Sequence, residues 1–180
     1  MKLTLTRAQL LEHWRLRAFP EPLNSDGAVT AIDGIDMDAW IEAAAMDWYS
    51  NLLMSAPVEL LNPHDYAAGL ELYRQGDAVC VQLPKSTARI VALRLAGWNA
   101  DAIVCTDALS PTALRQLSPL TRAGVDAPVA VWLPGSQTAM LYPTPVGNEV
   151  PVLEKAILVV DEPDVFRLDS VAFNDLKMRI

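Results

Sequence analysis

An α+β fold, with an N-terminal pair of helices packed with a mainly antiparallel β-sheet built from hairpins, is predicted by three observations on this 180-residue chain. Apolar residues recur at intervals of three and four over residues 36–55, which is helical spacing. From Tyr66 onward the pattern changes to short segments rich in Val, Ile, Leu and Tyr, punctuated by turn residues. No period of about 20 to 50 residues recurs, so the elements do not form a repeat array. The division that follows is an N-terminal helical subdomain over residues 1–62 and a β-rich subdomain over residues 63–180, with a short helix near 110–122. The length suits one domain able to bury its own core.

The first helix is expected over residues 6–19, where Thr6 and Gln9 stand at capping-box spacing and Leu10, Leu11, Trp14 and Ala18 share a face. Pro20 and Pro22 end it, and residues 20–34 read as a loop closing on the Asp33-Gly34 turn. The second helix is expected over residues 36–55. Trp40, Ile41, Ala44, Trp48 and Leu52 form its apolar stripe, acids stand in its first turn, and Pro57 follows it. The small residues Ala43, Ala44 and Ala45 permit close approach of the first helix, antiparallel, with Trp14 and Trp48 at the interface.

Residues 70–74 and 78–83 flank Gln75-Gly76-Asp77, which is hairpin spacing with glycine available for a positive backbone angle. Strands are expected at 89–95 and 102–105. A helix over 110–122 is capped by Ser110 with Pro111 at its first position. A second hairpin joins residues 128–133 and 138–142 through residues 134–137, a strand covers 156–160, and residues 170–178 form a terminal helix.

Half of the residues are hydrophobic (52%) and a fifth charged (20%), an ordinary globular composition. The net charge is −8, with acids in excess both before and after residue 60, and no basic cluster occurs. Specific nucleic-acid binding is therefore not expected, because phosphate neutralisation needs a basic surface. No apolar run is long enough to span a bilayer and the first residues lack a signal-peptide core, so a cytoplasmic protein is expected. Cys80 and Cys105 lie inside apolar strand-like runs and read as reduced small hydrophobes.

The chemistry-bearing residues do not assemble into a recognisable site. His13 and His64 are far apart with no second ligand at helical or turn spacing, and His13 is expected at an exposed helix position. Asp33, Asp36 and Asp38 lack the Gly and closing Glu positions of a calcium loop and read as turn and capping carboxylates. Asp161, Glu162 and Asp164 surround Pro163 in what reads as a solvated turn. Gly135-Ser136 lacks the flanking glycine of a nucleophile elbow, and neither a Walker loop nor a Gly-x-Gly-x-x-Gly element occurs. No catalytic residue, cofactor, metal or small molecule is indicated.

Five tryptophans are many for this length. Trp40 and Trp48 are core candidates on their helix, whereas Trp98, just after Gly97 at a strand end, is the candidate interface residue. Arg89 and Arg94 bracket the same strand and are placed to pair with acids on a neighbour. Trp132 and Tyr142, in the second hairpin, complete the candidate interface.

The succession Leu83-Pro84, Arg89-Ile90-Val91, Leu93-Arg94-Leu95, Gly97-Trp98, Pro128-Val129-Ala130 and Leu141-Tyr142-Pro143 resembles head-to-tail connector (adaptor, neck) structural proteins of tailed phages and prophages of gut bacteria. The resemblance covers residues 36–143. The chain departs from it after Leu83-Pro84, where Lys85-Ser86-Thr87 replaces an acidic or aromatic residue. The resemblance implies a noncatalytic subunit, present in the cytoplasm during assembly and then in the virion. It would self-associate in a ring, contact neighbouring virion proteins such as a portal, and turn an acidic, non-adhesive surface to passing DNA. A cytoplasmic protein-binding or assembly module unrelated to phage is the alternative, and an enzyme of another type a more distant one.

Overall fold

Glutamine 9 and threonine 6 close the capping box that starts the first helix in the computed structural model, which describes residues 1–18, 37–145 and 151–178. The Thr6 backbone N–H donates to Gln9 Oε1 at 2.9 Å and the Gln9 N–H donates to Thr6 Oγ1 at 3.4 Å. The chain divides into two compact units, Met1–Asn62 with Asp161–Ile180, and Pro63–Val160. Residues 161–180, expected to continue the β-rich subdomain, group instead with the N-terminal unit. The loop and turn expected over residues 20–34, and Asp33 and Asp36, lie outside the described residues.

The first unit contains β1 (Lys2–Leu5), α1 (Arg7–Ala18), α2 (Met37–Ser55) and β10 (Phe166–Asp169), followed by a 3-10 helix over Ser170–Met178. Strands β1 and β10 pair antiparallel, with Lys2 opposite Asp169 and Leu5 opposite Phe166. This two-stranded ribbon was not expected from the sequence, and neither strand carries a long β-rich run. The Lys2 ammonium donates to the carbonyl oxygens of Glu59 and Leu61, which fastens the ribbon to the turn after α2.

Helix α2 buries Ile41, Ala45, Tyr49 and Leu53. A four-residue spacing advances about 40° around a helix at each step, so the line 41/45/49/53 stays within the buried arc. The parallel line 40/44/48/52 starts on the solvent side. Trp40 is accordingly exposed, which corrects its expected place in the core. Helix α1 runs against the start of α2 through two ion pairs, Arg7 with Glu42 and Arg15 with Asp38 (2.6 Å).

The expected helical pair is only part of the packing. Phe173 of the C-terminal segment stacks on His13 of α1 (5.5 Å between ring centroids) and on Trp48 of α2 (5.3 Å). His13 is half-buried by this stacking instead of exposed. The terminal segment is helical as expected, in 3-10 form.

The second unit contains β2 (His64–Asp65), β3 (Leu72–Gln75), β4 (Ala78–Gln82), β5 (Thr87–Leu95), β6 (Ile103–Cys105), α3 (Pro111–Arg115), β7 (Val129–Trp132), β8 (Thr138–Tyr142) and β9 (Leu153–Val160). Two sheets form, in the orders β2-β9-β5 and β3-β4-β8-β7-β6. Both expected hairpins are present. In the first, Gln75 faces Ala78 across a two-residue turn that opens at Gly76, whose φ of +59° suits glycine.

Between the sheets lies the main core: Val79, Val81 and Leu83 from the β4 segment, Leu93 and Leu95 from β5, Ala130 and Trp132 from β7, and Leu141 from β8 meet Leu153, Ala156, Leu158 and Val160 of β9. A second, smaller core covers the far face of the five-stranded sheet, where Ala113 meets Ala78, Val129, Val131 and Tyr142. Strands β4 and β7 are thus buried on both faces, which is why they read as continuous apolar runs. Strand β6 pairs parallel with β7, so a crossover of residues 106–128 must carry the chain back across the sheet. That crossover contains α3.

Candidate interaction surface

The crossover turns few of its side chains inward. Ser110 caps α3 as expected, its Oγ accepting from the Ala113 N–H at 3.2 Å, with Pro111 at the first helical position. The helix ends at Arg115, well before the expected residue 122. Gln116, almost fully buried, holds the rest of the segment together. Its Nε2 donates to the Thr112 carbonyl at 2.8 Å and its Oε1 accepts from the Ala123 N–H at 2.9 Å. Its own carbonyl accepts from Arg122 Nε at 2.9 Å. The Arg122 guanidinium also lies over the Tyr142 ring, 5.8 Å from its centroid.

With Ala113 and Gln116 turned inward, the larger apolar residues are left outside. Leu109, Leu117 and Leu120 are 78%, 74% and 96% exposed, and Leu114, Val125 and the β6 residue Ile103 are exposed beside them in sequence or along the strand. Scattered exposed leucines are ordinary, but here four of them, Leu109, Leu114, Leu117 and Leu120, fall on one short crossover. Residues 108–125 also carry Arg115 and Arg122 and no acid, on a chain of net charge −8.

The expected interface residues sit elsewhere. Trp98 is buried in the main core, its indole N–H donating to the Pro143 carbonyl at 3.3 Å. It follows Gly97, whose φ of +87° turns the ring inward from the strand end. Trp132 is buried as well and donates to the Ser136 carbonyl at 2.8 Å, and Tyr142 is buried in the smaller core. These three aromatic side chains are packed within their own chain and present no docking face.

Arg94 pairs within its own chain: its Nε lies 3.4 Å from Glu154 and 3.7 Å from Asp101, while Asp101 accepts from Lys155 Nζ at 2.6 Å. Arg94 stands opposite Lys155 across the β5–β9 ladder, so Asp101 offsets what would otherwise be a like-charge cross-strand pair. Within the chain, Arg94 is placed in this network. Arg89 is half-buried on β5 opposite Val159.

The remaining titratable groups serve the fold. Asp65 Oδ1 accepts from the N–H groups of Ala67 and Ala156, both at 3.0 Å, and these bonds hold its carboxyl below the usual carboxylate range. In the turn after β9, Glu162 pairs with Arg167 at 2.7 Å and Asp164, at φ +62°, lies 4.0 Å from Arg7, while desolvation raises the Asp161 carboxyl. Cys80 and Cys105 are both free thiols, and burial pushes Cys80 up. Among the described residues no group of three or more His, Cys, Asp or Glu side chains is placed to hold a metal, and no helix is long and apolar enough to cross a membrane.

The exposed leucines were missed because residues 110–122 were read as one helix, whereas the helix stops at Arg115. The available signal was Pro119, which interrupts an α-helix inside the range expected to be helical. Comparison of the chain with known protein families, curated proteins and solved structures returned no match.

Proposed function

We propose that this chain is a noncatalytic structural subunit of the head-to-tail connector or adaptor type, which self-associates as a ring on a portal. The observation that carries the reading is the exposed leucine surface of the β6–β7 crossover, held in place by Gln116 and the smaller core. An exposed apolar surface on a folded, sheet-backed segment is what repeated subunit contacts require, and rotational symmetry multiplies each modest contact around a ring.

The acidic balance of the chain supports the same reading, since a negatively charged channel wall does not retain DNA. The polar network of Arg94, Asp101, Glu154 and Lys155 is a structural one that ties β5 to β9. The phage setting itself comes from the resemblance of residues 36–143.

The test is quantitative mass spectrometry of DNA-filled particles purified from the source strain after induction. A fixed ratio of this chain to the portal protein, near one or a small multiple, is expected. Complete absence from such particles would overturn the connector reading in favour of a cytoplasmic binding or assembly factor.

A further inference from the structure

We infer that the leucine crossover of one copy seats on the exposed stripe of α2 of a second copy, a contact that rests on the ring-subunit reading and names the two faces that would form it. Along α2, Trp40, Asp47 and Met54 recur at intervals of seven, so they lie in one line, drifting only about 40° over roughly 20 Å. Trp40 is 52% and Met54 60% exposed, and Ala43 and Asp47 are exposed between them.

The two faces are complementary in charge as well as apolar. No Lys or Arg occurs from residue 18 to residue 73. Of the acids on α2, Asp38 and Glu42 pair with Arg15 and Arg7 of α1, whereas Asp47 makes no ion pair among the described residues. On the crossover Arg115 is exposed, makes no ion pair among the described residues, and has no acid from residue 108 to residue 125. Each face therefore presents large apolar side chains around one charge with no ion pair among the described residues, Asp47 on α2 and Arg115 on the crossover, whose other arginine, Arg122, pairs with Asp77 at 3.5 Å.

This arrangement selects between modes of association. Crossover against crossover would bring arginines together, and α2 against α2 would bring acids together, both of which like-charge repulsion opposes. Unlike faces satisfy both charges. A contact between unlike faces is heterologous, and a heterologous contact generates a closed ring when its rotation closes.

The experiment uses the full chain and two variants, L117E/L120E on the crossover and W40R/D47K on α2, followed by sedimentation velocity. The unmodified chain is expected to self-associate with concentration, and each variant alone to sediment as a monomer, its association weakened about tenfold or more. Mixed in equal amounts, the variants should form a one-to-one dimer, because each supplies one intact face. A mixture that stays monomeric, or a variant that associates like the parent chain, overturns this contact while a self-associating parent leaves the ring reading standing. A parent chain that is monomeric throughout overturns both.

A charge exchange guards against misfolded variants. R115E should weaken association and D47R on the same chain should restore it; failure of that restoration contradicts the proposed pairing of faces.

Discussion

The phenol oxygen of Tyr49 accepts a hydrogen bond at 3.1 Å from the backbone N–H of Arg167, linking the buried face of α2 to β10. The Tyr49 ring also meets Phe166 edge-on at 4.9 Å. Burial raises the Tyr49 hydroxyl above its ordinary range, so it stays neutral across the physiological range. Tyr49→Phe keeps the ring and removes the acceptor of a partly buried N–H. A loss of about 1–2 kcal/mol is expected, read as a lower denaturant midpoint at unchanged slope.

Asp65 gives a prediction in pH. Its folded-state pKa is lowered by the Ala67 and Ala156 N–H groups, so its stabilisation is present above the unfolded carboxylate pKa and is lost as pH falls through the folded value. Stability of the second unit should therefore decline below about pH 4. Asp65→Ala should cost about 1 kcal/mol at neutral pH and flatten that part of the acid profile. An unchanged profile would contradict the assignment.

Trp98 tests the correction from interface to core. Trp98→Ala should destabilise the chain by about 3–5 kcal/mol, the cost of emptying a large buried site. Trp40→Ala should stay within about 0.5 kcal/mol, as an exposed helix position does. Acrylamide quenching read on the same two variants should show Trp40 as the accessible indole and Trp98 as a protected one.

Thr6→Ala removes one partner of the capping box with Gln9 and should cost about 1 kcal/mol. Amide hydrogen exchange should report the loss in the first turn of α1, with little change in the β4–β8 ladder.

These residues show where the sequence was legible. Thr6 with Gln9, Gly76 in its hairpin, and Ser110 with Pro111 act through neighbours a few positions away, so spacing alone located the elements they start or join. Pairings of β1 with β10 and of β6 with β7 depend on segments distant in sequence, and the short strands carry too few residues to reveal their partners. The wedge made by Phe173 between His13 and Trp48 was likewise invisible, because a C-terminal residue determines how two N-terminal helices pack. Trp98, Trp132 and Tyr142 were read as surface because aromatic residues near turns suit either setting, and only the second sheet and the crossover decide that they are buried. The leucines outside were hidden by an assumed continuous helix over residues 110–122, which in fact stops at Arg115.

The central claim is self-association of a noncatalytic subunit, and native mass spectrometry of the purified full chain over a concentration series tests it most directly. A discrete oligomer of one stoichiometry, replaced by monomer in L117E/L120E, is the predicted result. A monomer at every concentration, with the variant indistinguishable from its parent, would contradict it.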